Sequence, residues 1–257
     1  MTRQSDGMIE RLMRQGALRR WARAAHDAES TDLPDLVNQR DTARQLRVHL
    51  DKLIHLADTR LAQPLIGTPS VSQPHGVDWA WRPELWCAPL AQQGLSPVPS
   101  KSRLGDEVTL FHDCGFCELT LRQIRNARAA DQAAYGLCMD VFHFDGSYLS
   151  LSVDLPMAAS LDLRRQHLIR IETIVEMEAP LKVFARLNIR HGPNTEQIVR
   201  ELALNAAENQ VEFDLAYSKL NEKRADRMWL DLIFEAPQMN QVVLRDLTFS
   251  RRLRAAL

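Results

Sequence analysis

The C-terminal part of this chain alternates apolar and polar residues one by one, and a period of two is what a sheet with one buried and one wet face requires. Leu149, Leu151, Val153 and Leu155 alternate with Ser150, Ser152 and Asp154. Leu181, Val183, Ala185, Leu187 and Ile189 alternate with Lys182, Phe184, Arg186, Asn188 and Arg190, and Val211, Phe213, Leu215 and Tyr217 with Glu212, Asp214, Ala216 and Ser218. Each run predicts one strand.

Strands are expected at residues 108–113, 118–125, 136–144, 148–155, 167–178, 181–190, 197–204, 210–217, 227–235 and 241–249. Residues 126–134 are expected to form a helical turn or loop. Turn-forming residues punctuate the series: Asp145-Gly146, Ala179-Pro180, Gly192-Pro193-Asn194, Glu208-Asn209, Asn221-Glu222 and Ala236-Pro237. Many short strands with almost no helix between them predict an antiparallel, jelly-roll-like β-sandwich. The fold class is mainly β with an N-terminal α-helical arm.

That arm is read from a different period. Met8, Ile9, Leu12, Met13, Ala17, Leu18, Trp21 and Ala24 recur at helical spacing, with Arg3, Arg11, Arg14, Arg19, Arg20 and Arg23 among the first residues. A second helix is expected from about Pro34 to Leu61, capped by Asp32 or Asp35. Within it Leu36, Ala43, Leu50 and Ala57 repeat every seven residues, with Leu46 and Leu53 at the offset that completes an a/d seam. Such stripes suit a helical hairpin, a homo-oligomer or a protein partner. The arginine face also allows peripheral membrane contact, although docking on protein is the favoured reading. The domain expectation is an α-helical arm at 1–62, a connector at 63–104 packed on the sandwich, and the sandwich at 105–257. The connector is rich in proline, which stops helices and central strands alike, yet it holds Trp79, Trp81 and Trp86, which tie it to the sheets.

Several function classes lose support on composition. A net charge of -1 argues against a nucleic-acid partner. Four cysteines in 257 residues do not make a disulfide scaffold, and no apolar run with a cleavage site opens the sequence, so a cytoplasmic location is expected.

Catalytic signatures are missing as well. There is no nucleophile elbow, no phosphate-binding loop and no dinucleotide fingerprint, so no catalytic residues and no cofactor are expected. The pairs Glu212 with Asp214 and Asp231 with Glu235 share strand faces, but acids on a wet sheet face are mostly solvated or paired with facing arginines such as Arg186 and Arg190. His112-Asp113-Cys114-Gly115-Phe116-Cys117 is the one stretch with a metal-site look. Zinc ordinarily takes ligands from two such knuckles, so with no second CxxC these cysteines are expected to be packing residues, and no metal is expected. Cys87 or Cys138 would have to complete a site. The turn after the most regular strand is the preferred ligand-binding candidate, because loops at a sandwich end commonly carry binding residues. Its members are Arg190, His191, Asn194 and Glu196, with Asn221 from a second polar connection. The competing reading is a well-made turn whose Asn and Thr bond their own backbone.

The tryptophan run DWAWRP at residues 78–83, VTLFHDC at 108–114, LNIRHGPNTEQIV at 187–199, residues 213–224 and LRDLTFSRR at 244–252 resemble an uncharacterised family of alphaproteobacterial proteins. The resemblance spans most of the chain after about Gln63 and implies no activity. The strand pattern is also similar to galactose-binding-like sandwiches, which implies recognition of glycans or proteins. The expected function is therefore non-catalytic binding of a carbohydrate or cell-envelope polymer, with an exposed tryptophan stacking on a sugar face. The alternative is a structural or scaffolding protein that works through its N-terminal helices.

Overall fold

A computed structural model describes residues 3–65, 76–128, 131–204 and 209–254 of the 257-residue chain. Two compact units divide it, residues 1–56 and 57–257.

The first unit is helical. Helix α1 (Arg3–His26) ends in a short 3-10 turn, where the Ser30 and Thr31 hydroxyls donate to the Asp27 carbonyl. Helix α2 (Leu33–Leu65) follows and opens with the Leu36 amide on the Asp32 carbonyl at 2.9 Å. The two lie side by side, since Trp21 and Ala24 of α1 share one cleft with Asn38 and Thr42 of α2. Half-buried Leu36 and Ala43 begin the heptad seam of α2, while Leu46, Leu50 and Leu53 are exposed. Met13 and Leu18 of α1 are exposed too, and the side chains of Met8, Ile9 and Leu12 lie outside the described residues. Among the described residues no helix is long and apolar enough to cross a membrane.

The second unit is a β-sandwich of two antiparallel sheets, jelly-roll-like in its strand exchange. Its elements in chain order are β1 (Val77–Trp81), α3 (Glu84–Cys87), β2 (Gly94–Leu95), β3 (Ser102–Leu104), β4 (Val108–His112), β5 (Cys117–Arg125) and β6 (Tyr135–Phe144). After these come β7 (Leu149–Asp154), α4 (Met157–Ser160), β8 (His167–Met177), β9 (Val183–His191), β10 (Asn194–Leu202), β11 (Asn209–Asp214), β12 (Ala225–Phe234) and β13 (Asn240–Leu253). One sheet runs β11-β8-β13-β6-β5-β2, with β1 added on β13, and the other runs β10-β9-β12-β7-β4-β3. Alternation explains the layering. Leu149, Leu151 and Val153 of β7 and Leu230, Leu232 and Phe234 of β12 are fully buried between the sheets, against Ile169, Ile171, Phe213, Leu247 and Phe249 of the other layer.

The part of the connector that carries Gly67, Pro69 and Pro74 lies outside the described residues. From Gly76 onward the chain belongs to the sandwich. Trp86 is fully buried and its indole N–H donates to the Leu244 carbonyl at 3.0 Å. Trp79 and Trp81 are half-buried, and Trp81 meets Phe249 with ring centroids 5.5 Å apart. The Gln123 side-chain amide donates to the Leu85 and Ala88 carbonyls while its oxygen accepts the Leu90 amide. Arg82 forms a two-pronged ion pair with Asp246, both side chains more than nine-tenths buried.

Between β5 and β6 the described residues form a loop, without a helical turn. The strand expected from residue 197 starts earlier, at Asn194. The stretch from Arg190 to Glu196 is thus mostly strand, closed by the two-residue turn Gly192-Pro193. Gly192 has φ +64° and proline fixes its own φ near -65°, the pattern of a type II′ hairpin.

Candidate functional site: a groove across the outer sheet face

The wet face of the second sheet carries a groove of about 740 Å³. Cross-strand register builds it. Arg103 of β3 faces Thr109 of β4, Thr109 faces Ser152 of β7, Ser152 faces Asp231 of β12, and Asp231 faces Arg186 of β9. At about 4.8 Å between neighbouring strands, this polar row is about 19 Å long. Apolar residues flank it on both sides. Phe111, Ser150 and Ile233 form the next row on one side, and Asp154 and Trp229 the row on the other. Tyr148, exposed at the start of the Ser150 side of β7, extends the aromatic lining.

Geometry fixes the floor. Ser150, Ser152 and Asp231 are buried, and Asp231 Oδ2 accepts from Arg186 Nε at 3.0 Å, Arg186 Nη2 at 2.9 Å and Asn188 Nδ2 at 2.8 Å. Asn188 Oδ1 in turn accepts from Gln197 Nε2 at 3.0 Å. Such a connected network holds its side chains in one arrangement before any ligand arrives. On the rim, Arg227 pairs with Asp154 and sets its guanidinium 5.2 Å from the Trp229 ring centre, a cation–π contact that orients both. The groove therefore offers flat apolar faces beside a line of donors and acceptors.

The four candidate residues of the turn and Asn221 of the second connection come together elsewhere, at one end of the same sheet. Arg190 shares the outer face with Arg186 and pairs with Asp226 at 2.8 Å, which holds the Asp226 carboxyl below its usual range. His191 is buried, and Asn194 is exposed opposite it. Glu196 accepts the Lys219 amide at 3.1 Å, and Asn221 Oδ1 accepts the Lys223 amide at 3.2 Å. The Gly192 amide donates to the Arg224 carbonyl at 3.2 Å, so the two polar connections lie at the same end. Glu196 and Asn221 shape backbone there. None of the five lines the groove.

The groove residues were missed because the period-two pattern reads outward positions as solvated. One signal was available: Trp229 interrupts the alternation Met228, Leu230, Leu232, Phe234 at an outward position, where a large aromatic has no core to join. The carboxylate pairs are largely neutralised. Glu212 meets Arg170 and Arg252, and Asp214 meets Arg254.

The structure also gathers His112, Cys114 and Cys117 at the β4–β5 turn, with one potential ligand atom from each within 4.8 Å of the others. Cys87 and Cys138 lie apart from them. Cys87 sits by the Arg82 carbonyl with its thiol pushed up to about 11 by burial, and Cys138 lies beside Asp140 and Arg122.

No curated protein matches the chain. Among solved structures, the chain is similar to the tailspike protein 4 enzymatically active domain of bacteriophage CBA120, at 7% identity and a TM-score of 0.40. That match covers 61% of this chain and 21% of the tailspike chain. It is also similar to the family 11 carbohydrate-binding module from Clostridium thermocellum in complex with a β-1,3-1,4-mixed-linked tetrasaccharide, at 11% identity and a TM-score of 0.39, over 64% of this chain and 96% of that one. A third likeness is the CBM22-1 xylan-binding domain from Paenibacillus barcinonensis Xyn10C, at 12% identity and a TM-score of 0.34, over 61% and 92%. These are distant likenesses. The sequence itself matches a family model from residue 1 to residue 257, and the chain belongs to that family, the family of unknown function DUF6478.

Proposed function

We propose that this protein is a non-catalytic carbohydrate-binding module and that its ligand lies along the groove of the β3-β4-β7-β12-β9 face. The observation that carries the reading is the polar row from Arg103 to Arg186 flanked by Phe111 on one side and Trp229 on the other. A sugar ring has the matching chemistry, with an apolar C–H face that packs on an aromatic ring and hydroxyls that both donate and accept. Serine, carboxylate and guanidinium groups satisfy those hydroxyls, and the network behind Asp231 lowers the ordering cost of binding. Polysaccharide affinity electrophoresis and a glycan array on the full chain test it. Trp229→Ala is expected to weaken binding about tenfold or more, whereas Tyr217→Ala, an exposed aromatic outside the groove, leaves it unchanged. No retention on any polysaccharide, or equal retention of both variants, would refute the reading.

The ligand expected from the sequence, a cell-envelope polymer, is the finer form of this proposal. The alphaproteobacterial source and the cytoplasmic location rest on the sequence alone and belong to it as well; cell fractionation checks the location.

A second reading has its own observation. Leu46, Leu50, Leu53 and Ile54 leave an exposed apolar stripe on α2, the surface an a/d seam presents to a second copy of itself. Self-association through α2 would make the protein a multivalent binder. Light scattering on the full chain tests it.

A further inference from the structure

The β4–β5 turn holds a cluster that plays no part in the groove. Strand β4 ends at His112 in one sheet and β5 begins at Cys117 in the other, so four residues carry the chain between the sheets and bring His112, Cys114 and Cys117 to one point. His112 is buried, with a fractional exposure of 6%, and its Nε2 lies 3.0 Å from the Val98 carbonyl and 4.0 Å from Cys117 Sγ. With Nε2–H donating to that carbonyl, the lone pair falls on Nδ1, which is buried without a hydrogen-bond partner. An unmatched buried acceptor costs stability. Either ring nitrogen of a histidine can ligate zinc, and Nε2 is the one that lies beside a thiol here, 4.0 Å from Cys117 Sγ.

Cys114 is held by Asp145 from the neighbouring β6–β7 turn. Its Sγ accepts the Asp145 amide at 3.3 Å and donates to Asp145 Oδ1 at 2.7 Å, and the same carboxylate accepts the Gly115 amide at 2.9 Å and the Phe116 amide at 3.2 Å. Asp113 reciprocates. Its carboxylate accepts the Ser147 amide at 2.7 Å and the Tyr148 amide at 3.2 Å. Gly146 fits between the turns only because it has no side chain, since a Cβ there would lie 2.6 Å from Asp113 Oδ1. The interlocked turns thus set the Asp145 carboxylate on Cys114, one of the three clustered side chains His112, Cys114 and Cys117.

We propose that His112, Cys114 and Cys117 bind a borderline-soft divalent cation of the zinc class, with the Asp145 carboxylate as the fourth ligand. Two sulfurs, one nitrogen and one oxygen suit tetrahedral zinc and are a poor set for calcium or magnesium, which take oxygen shells. Binding releases the two thiol protons to solvent, and the Asp145 oxygen that accepts the Cys114 S–H turns to the metal. The ion then pins the β4–β5 turn to the β6–β7 turn, a structural role. A second CxxC is not needed, because His112 on a strand end and Asp145 on a facing turn supply what sequence spacing alone does not display.

The test is titration of the reduced, chelator-treated full-length protein with Co²⁺, followed by Zn²⁺ displacement. One equivalent of Co²⁺ is expected to produce thiolate charge-transfer absorption with the visible bands of a tetrahedral site, and zinc should abolish both. Cys114→Ser and Cys117→Ser are each expected to weaken binding at least about 100-fold, and zinc should raise the melting temperature of the wild type but not of these variants. If the variants fold poorly, the wild-type titration decides alone. The proposal is overturned if reduced wild type takes up no Co²⁺, if uptake shows no thiolate band, or if the native protein carries a Cys114–Cys117 disulfide and still binds no metal after reduction.

Discussion

His167 shows how a single residue couples this fold to pH. Its side chain is buried on β8, Nδ1 accepts the Arg164 amide at 2.9 Å, and Nε2 faces the Asp78 carboxylate at 3.4 Å. Burial is the largest influence on its pKa and lowers it; the Asp78 charge pulls upward, and the Arg251 and Arg164 charges push down again. The net direction is down, so the folded state favours neutral imidazole, and the bond from Arg164 requires it. Because the folded value lies below the ordinary 6.5, the unfolded chain takes up the proton first as the solution is acidified. Stability from this residue is complete above about pH 6.5 and is lost as pH falls through the folded-state value. Denaturant unfolding between pH 7.5 and about pH 5 should therefore show a decline that His167→Gln makes shallower. An identical slope in the two proteins would show that other groups set it. Burial raises the carboxyls of Asp140 and Glu176, but their hydrogen bonds and arginine partners together outweigh it and hold both below the usual range, so they add their own losses in the same direction at more acid pH.

Among the elements, β13 organises the sandwich. It pairs with β6 through residues 240–244, with β8 along residues 242–253, and with β1 through residues 249–252. An irregularity between Leu244 and Asp246 lets one strand serve these partners, and there the Leu244 carbonyl receives the Trp86 indole. Gly136 of β6 is pressed into this corner, where a Cβ would lie 2.9 Å from the Leu244 carbonyl oxygen and 3.2 Å from the Arg245 Cα. Both contacts are backbone and have no easy way to yield. Gly136→Ala is expected to destabilise the sandwich by about 1–3 kcal/mol, read from the urea midpoint. A variant as stable as the parent would mean that β13 moves freely at the irregularity. The same element accounts for the strand that the alternation placed at 241–249 and the structure extends to Asn240–Leu253. Past Phe249 the residues Ser250 and Arg251 are polar yet buried, because Arg251 ends on Asp78 and on the Ala159 and Leu161 carbonyls.

At the scale of the whole molecule, the chain divides into residues 1–56 and 57–257. The contiguous apolar core lies within the second unit, and the Arg82–Asp246 pair, Gln123 and Trp86 close it against the segment that follows Gly76. A fragment of residues 57–257 is expected to fold alone, with a β-dominated circular dichroism spectrum and one cooperative thermal transition. A broad transition or an unfolded fragment would show that the helices complete the core. If α2 joins two copies, light scattering should give a dimer for the full chain, a monomer for Leu50→Asp with Leu53→Asp, and a monomer for the fragment.

Period two alone was enough to set the sandwich class and most strand positions, because a buried side chain in a strand must recur at every second residue whatever lies across the sheet. The helices were legible for the same reason at their own period. Sequence also marked Gly192-Pro193 as a turn and the polar acids of β11 and β12 as partners for arginine. Register was not legible, since the order of strands depends on pairings between segments far apart in the chain. Register is what aligns Arg103, Thr109, Ser152, Asp231 and Arg186 into one row and puts Trp229 beside it. The same limit hid Asp145, 31 residues from Cys114 in sequence yet 2.7 Å from its sulfur. A local pattern records which face a side chain takes, and only the packed sheets decide which side chains share that face.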